Sequence, residues 1–161
     1  MIKLIAGTSA VLGAAAFGVV VASDASSAAL VAPCHSRVLR PAFGGTEGTA
    51  GTLHDHWRLK NVSTGTCSVT GFPTVHNYRA DGRPLPTTVS QSGTPGVVTL
   101  HPGQHASFIL SYPEPGNVGC TPEPAARMTI QPAVSELVLI TNRGERSCHG
   151  QLSETPLVHG G

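Results

Sequence analysis

Proline and glycine punctuate this chain so closely that no long helix fits beyond its first thirty residues. All thirteen prolines and sixteen of the nineteen glycines lie after residue 29, and no amphipathic period of 3.6 survives between them. What remains are short runs rich in Val, Thr, Leu, Ile and aromatic residues, bounded by Gly, Pro, Asn and Asp, which is the pattern of strands. Strands are expected over residues 37–43, 56–62, 74–80, 85–90, 97–100, 106–112, 127–131, 136–141 and 151–158. In the second run Trp57 and Leu59 should face a core and Arg58 and Lys60 the solvent. Asp81-Gly82 between the third and fourth runs predicts a hairpin with a type I′ turn, both central residues at positive φ. Pro84 and Pro86 place the fourth run at a sheet edge. Connecting loops are expected over 44–52, 91–96 and 113–124, the last carrying four prolines and two glycines, a composition that argues against regular structure. Eight or nine strands so spaced imply an all-β antiparallel sandwich, with closure into a barrel as the lesser alternative.

Upstream of the strands, Met1-Ile2-Lys3 gives a short positive start, and residues 4–22 follow almost without polar side chains. This reads as a signal peptide over residues 1–29, cut after Ala29 at a small-x-small site. A retained membrane anchor is the competing reading, disfavoured by the Ala, Gly and Val content of the run. Residues 30–161 then form a single domain with its core over 34–158, secreted or held in the cell envelope, with no membrane segment left once the leader is removed. All four cysteines lie in that part: Cys34, Cys67, Cys120 and Cys148. An even count behind an export signal reads as a disulfide framework. Three pairings are open. Cys34–Cys67 with Cys120–Cys148 is preferred, because each then joins chain neighbours and avoids threading. Pro33 occupies the place of the small residue that lipid modification of Cys34 would need.

Net charge is +1, charged residues make up 12% and aromatic residues 4%. Such a balance supplies neither a field for nucleic acid or anionic lipid nor stacking platforms for bases. The unusual signal is histidine, with eight residues: His35, His54, His56, His76, His101, His105, His149 and His159. His54 and His56 sit two apart on a strand and therefore share a face, where they could hold copper or zinc, helped by His76 or His105. The plainer reading is that they continue the solvent face of Arg58 and Lys60. Met128 is the one methionine after the leader, against a thioether-based copper carrier. No G-x-S-x-G elbow, H-E-x-x-H helix or phosphate-binding glycine loop is present, so no catalytic residue and no cofactor is assigned. Asn61-Val62-Ser63 matches the N-glycosylation sequon, although Asn61 could simply end a strand.

Read in order, WRLKNVSTGTCSVTGFP, YRADGRPLP, VTLHPGQHASFIL, the third cysteine in a proline-rich loop and the late fourth cysteine resemble a family of exported actinobacterial proteins catalogued as a domain of unknown function. The resemblance spans about Cys34 to Val158. It implies an immunoglobulin-like β-sandwich in the envelope or outside the cell, with its four cysteines paired, and it transfers no catalytic residue. The expected function is a non-catalytic binding module presenting loops to a protein or cell-wall partner. The alternatives are an extracytoplasmic copper- or zinc-binding protein using His54 and His56, and a small secreted hydrolase.

Overall fold

The structure, a computed structural model, describes residues 31–133, 139–141, 143–144 and 148–160; the expected leader and residues 136–138 of an expected strand fall outside them. Eleven strands are formed among the described residues. One sheet has the order β1 (Leu39–Thr49), β2 (Thr52–Asn61), β7 (His105–Pro113), β10 (Gln151–Glu154), β5 (Thr88–Gln91), and β11 (Val158–His159) also pairs with β7. A second sheet pairs β3 (Cys67–Thr70) with β6 (Val97–Leu100), and a third runs β4 (Thr74–Tyr78), β8 (Arg127–Gln131), β9 (Leu139–Thr141).

Strict alternation drives these elements together. On β2 and β7 the residue pairs Leu59–Ala106, Trp57–Phe108 and Leu53–Tyr112 face one another, and Trp57, Leu59, Phe108 and Leu110 are almost wholly buried. Val69, Val98 and Leu100 of the second sheet and Val75, Met128 and Ile130 of the third join them in a single cluster. Three sheets thus bury one core, the arrangement expected of an all-β domain.

Several sequence expectations change in detail. The segment expected as loop 44–52 is mostly strand: β1 runs on to Thr49 past a bulge between Phe43 and Gly45. The tight turn there is Ala50-Gly51, with φ of 46° and 82°, which gives both central residues the positive φ of a type I′ turn. Conversely, Asp81-Gly82 is not such a hairpin, since only Gly82 has positive φ. The Asp81 carboxylate accepts the Arg83 N–H at 2.9 Å and sets a side-chain-mimicked turn instead. Pairing with β4 ends after the single bridge Tyr78–Pro84. The prolines then release the chain to the other sheet, where β5 lies at the edge but runs parallel to β10, so the sheets are not wholly antiparallel. Within 113–124, Pro115–Val118 forms one helical turn, started by a proline at a position that needs no N–H donor. Strand β3 had no counterpart among the expected runs.

Both disulfides join the preferred partners, Cys34 to Cys67 and Cys120 to Cys148. The first fastens the N-terminal segment along β3, where the Cys34 N–H donates to Ser68 O at 2.8 Å and the Ser68 N–H to Ala32 O at 2.9 Å.

Asn61, in the sequon, is fully buried. Its Nδ2 donates to Gly65 O at 2.8 Å and Leu100 O at 3.0 Å, while Oδ1 accepts the Ser63 N–H at 2.9 Å and the Ser63 hydroxyl at 2.7 Å. Its backbone N–H reaches Gln104 O and its carbonyl accepts the Gly103 N–H, both at 2.9 Å. One residue therefore joins the NVSTGTC segment to the LHPGQ segment. Glu154 is a second buried polar group, 2% exposed. Gln91 Nε2 donates to its Oε1 at 3.0 Å, and Oε2 has no hydrogen-bond partner. Desolvation pushes the carboxyl up from its ordinary 4.5 to about 7, against the opposing effect of the Gln91 hydrogen bond.

Two outcomes follow. Asn61→Ala takes from the buried Leu100 carbonyl its Nδ2 donor and should lower unfolding free energy by about 2–3 kcal/mol in urea titration; a loss under about 0.5 kcal/mol would contradict the role given to the carboxamide. The folded value of Glu154 lies above that of the unfolded chain, so its contribution to stability is complete below about pH 4.5 and is lost as pH rises through about 7. Thermal melts should therefore show a stability loss on the order of 2–3 kcal/mol over that window. Glu154→Gln should flatten that component, and an unchanged profile in the variant would refute the assignment.

Candidate functional site

The two histidines of the metal reading lie on β2 and share a face; His54 is hydrogen-bonded at both ring nitrogens, whereas His56 Nε2 is buried with no hydrogen-bond partner among the described residues. His54 Nδ1 is 2.7 Å from Ser111 Oγ and its Nε2 is 2.8 Å from Thr49 Oγ1. His56 Nε2 lies 3.5 Å from Glu47 Oε2. His76 is on β4, in a different sheet. His105 is on β7, four residues from Ile109, the partner of His56, or about 13 Å along the strand. Among the described residues no three or more His, Cys, Asp or Glu side chains are grouped to hold a metal ion.

Between those histidines, Asp55 points the other way and is fully buried in the core. Its carboxylate is held by the Thr46 hydroxyl across the β1–β2 pair, by the Tyr112 hydroxyl at 3.4 Å and by Arg143 Nη2 at 3.5 Å. The Arg143 guanidinium caps the Phe43 ring at 3.9 Å, and Phe43 meets Trp57 edge-on at 5.5 Å. The cluster is structural: a charge inside a core is tolerated only when paired and hydrogen-bonded. Sequence reasoning passed over Asp55, yet its parity with Trp57 and Leu59 was the signal available.

A separate set of groups converges on a cavity between loops. A cavity of about 360 Å³ is lined by Asn77 from β4, Leu85 and Pro86 after the Asp-Gly turn, Thr121 and Glu123 from the proline-rich loop, and His149-Gly150. Its walls are fixed by three devices. The Cys120–Cys148 disulfide, with Cα atoms 6.1 Å apart, joins the second and third loops. Arg79 grips Glu123 as a fork through Nε and Nη2, the latter at 2.9 Å, and this hydrogen bonding lowers the Glu123 carboxyl and raises the Arg79 guanidinium from their ordinary values. On the same turn, hydrogen bonds from Arg83 lower the Asp81 carboxyl. Finally, His149 and Gly150 turn with φ of 55° and 69°. A side chain at Gly150 would overlap the Pro86 carbonyl oxygen, so only glycine closes the wall there.

Chemically, this lining offers an amide, a hydroxyl, a carboxylate and an imidazole around an apolar patch of Leu85 and Pro86. Among the described residues it contains no serine and no free thiol. Cavities of this size, with a few polar groups around an apolar floor, suit a small organic ligand. Of the three loops expected to carry contacts, the one over 113–124 contributes Thr121 and Glu123; the other two do not reach the cavity. Only Leu85 and Pro86 of the lining fall in a segment that stood out in the sequence, because the cavity is assembled from segments some seventy residues apart.

Among the described residues no helix is long and apolar enough to cross a membrane, and the two disulfides are those of a protein outside the reducing cytoplasm. No curated protein and no solved structure matches the chain. A family model, by contrast, covers residues 34–158, from the first cysteine of the disulfide framework to the start of β11. By that match the chain belongs to the family described as Domain of unknown function (DUF4232).

Proposed function

We propose that this domain is a secreted or envelope-held binding module, without catalytic activity, that takes a small polar ligand or the end of a partner chain into the cavity beside the Cys120–Cys148 disulfide. One observation carries the reading: three irregular loops converge on a concavity whose walls are locked by a disulfide, a forked ion pair and an obligatory glycine. Recognition on β domains is usually carried by loops held on a rigid frame, and prior fixing of the walls lowers the entropy lost on binding. The lining supplies hydrogen-bonding groups, while the acyl-transfer and thiol chemistries of a small hydrolase need a nucleophile beside a base, and among the described residues the lining offers neither serine nor free thiol.

The test is a two-dimensional amide NMR titration of the intact protein with a low-molecular-weight extract of its host's envelope. Shifts should cluster at Asn77, Thr121, Glu123 and His149, and Thr121→Trp, which fills the cavity without touching either disulfide, should remove them. Perturbations confined to other surfaces, or turnover of ester, amide or glycoside panels that Thr121→Trp abolishes, would overturn the proposal.

A further inference from the structure

The described cations fall into two groups. Arg79 pairs with Glu123, Arg83 with Asp81 and Arg143 with Asp55, and Arg127 lies over the Tyr78 ring at 5.0 Å. Arg37, Arg40, Arg58 and Lys60 make no ion pair among the described residues, and all four belong to β1, β2 or the turn that leads into β1.

Register brings three of them onto one surface. Leu39, Trp57, Leu59 and Asn61 are buried, so Arg40, Arg58 and Lys60 project from the outer face of the sheet. Arg40 stands directly opposite Lys60, and Lys60 opposite His105. The two cations thus stand about 5 Å apart on neighbouring strands, while the Nε2 edge of the His105 ring beyond them is buried beside Gly160. In the next outward row Arg58 lies between Ala42 and Ser107. There the bulge at Gly44 opens a groove of about 430 Å³ lined by Arg58, Ser107, His56 and Glu47. A Cβ at Gly44 would stand 3.7 Å from Arg58 Nε, so the guanidinium lies close over bare backbone. Glu47, the acid in this groove, is beside His56 at 3.5 Å rather than bonded to Arg58.

Like charges placed directly opposite on paired strands are destabilising, and the other described cations each have a carboxylate or a ring. A flat face with closely spaced cations, a forked guanidinium and a hydroxyl suits phosphate oxyanions repeated along a chain. Among the strand partners of the Arg40–Lys60 and Arg58 rows there is no Phe, Tyr or Trp to stack a base or sugar ring. The disulfides place the domain outside the cytosol, where such a polymer belongs to the envelope rather than to nucleic acid.

We infer that the outer face of β1, β2 and β7 is a docking surface for a linear polyol phosphate of the cell envelope, held by Arg40, Arg58 and Lys60. The surface shares no residue with the cavity, so it stands or falls independently of the ligand proposed there. The experiment is binding of the intact protein to purified poly(glycerol phosphate), followed by calorimetry across a salt series, with single-stranded DNA of equal phosphate number in parallel. Native protein should bind the polyol phosphate more tightly than the DNA, with log K falling linearly with log salt. The double variant Arg58→Ser/Lys60→Ser should lose roughly tenfold or more in affinity and reduce the slope by about 1–2. Lys60→Ser alone should melt at or above the native temperature, since it removes an opposed like charge, and this separates lost binding from lost fold. No binding at low salt, unchanged binding by the double variant, or tighter binding of DNA would each overturn the inference.

Discussion

The carboxamide of Asn61 closes the seam between the six-stranded sheet and the β3–β6 pair. It sits at the end of β2, the strand that β1 and β7 flank, and its two polar atoms reach Gly65, Ser63 and Leu100. Leu100 ends β6, so this side chain couples the six-stranded sheet to the β3–β6 pair while its backbone holds Gly103 and Gln104. The Thr66 hydroxyl, 3.0 Å from His101 Nδ1, adds a further tie between the same two segments. A residue that matches a glycosylation pattern is in fact enclosed by the protein, and the two segments by which the family resemblance is most specific are bonded to each other. Their chemistry is architectural.

With the seam closed, the remaining polar groups separate by function. Asp55 and Glu154 are carboxyls inside the fold, the first matched by three donors, the second by one. His54 is committed to Thr49 and Ser111. The groups left facing solvent in company are those of the disulfide-walled cavity and those of the basic face, on separate elements of the domain.

Strand content, inward Trp57 and Leu59, and both disulfide partners were legible because alternation and cysteine position are local signals. Strand pairing was less so. The Asp-Gly turn suggested that β5 should return along β4, whereas Pro84 and Pro86 end that pairing and β5 joins β10 in parallel. Strand β3 is only Cys67–Thr70, too short for a period to stand out from its Gly- and Thr-rich surroundings. The cavity was invisible for a different reason: Asn77, Thr121 and His149 become neighbours only through the fold. Likewise a net charge of +1 concealed the basic face, since Glu123, Asp81 and Asp55, which enter the same sum, are paired with Arg79, Arg83 and Arg143 away from it.

The most direct test of the central claim is hydrogen exchange of the native protein by NMR, read at the Asn61 side-chain amide and the Asn61 and Gly103 backbone amides. The account predicts protection matching that of the Trp57 and Phe108 amides in the middle of the core, because opening the seam requires opening the fold. Exchange of those groups at rates near those of an unfolded chain, with the core amides still protected, would show that the sheets hold together without Asn61 and would contradict it.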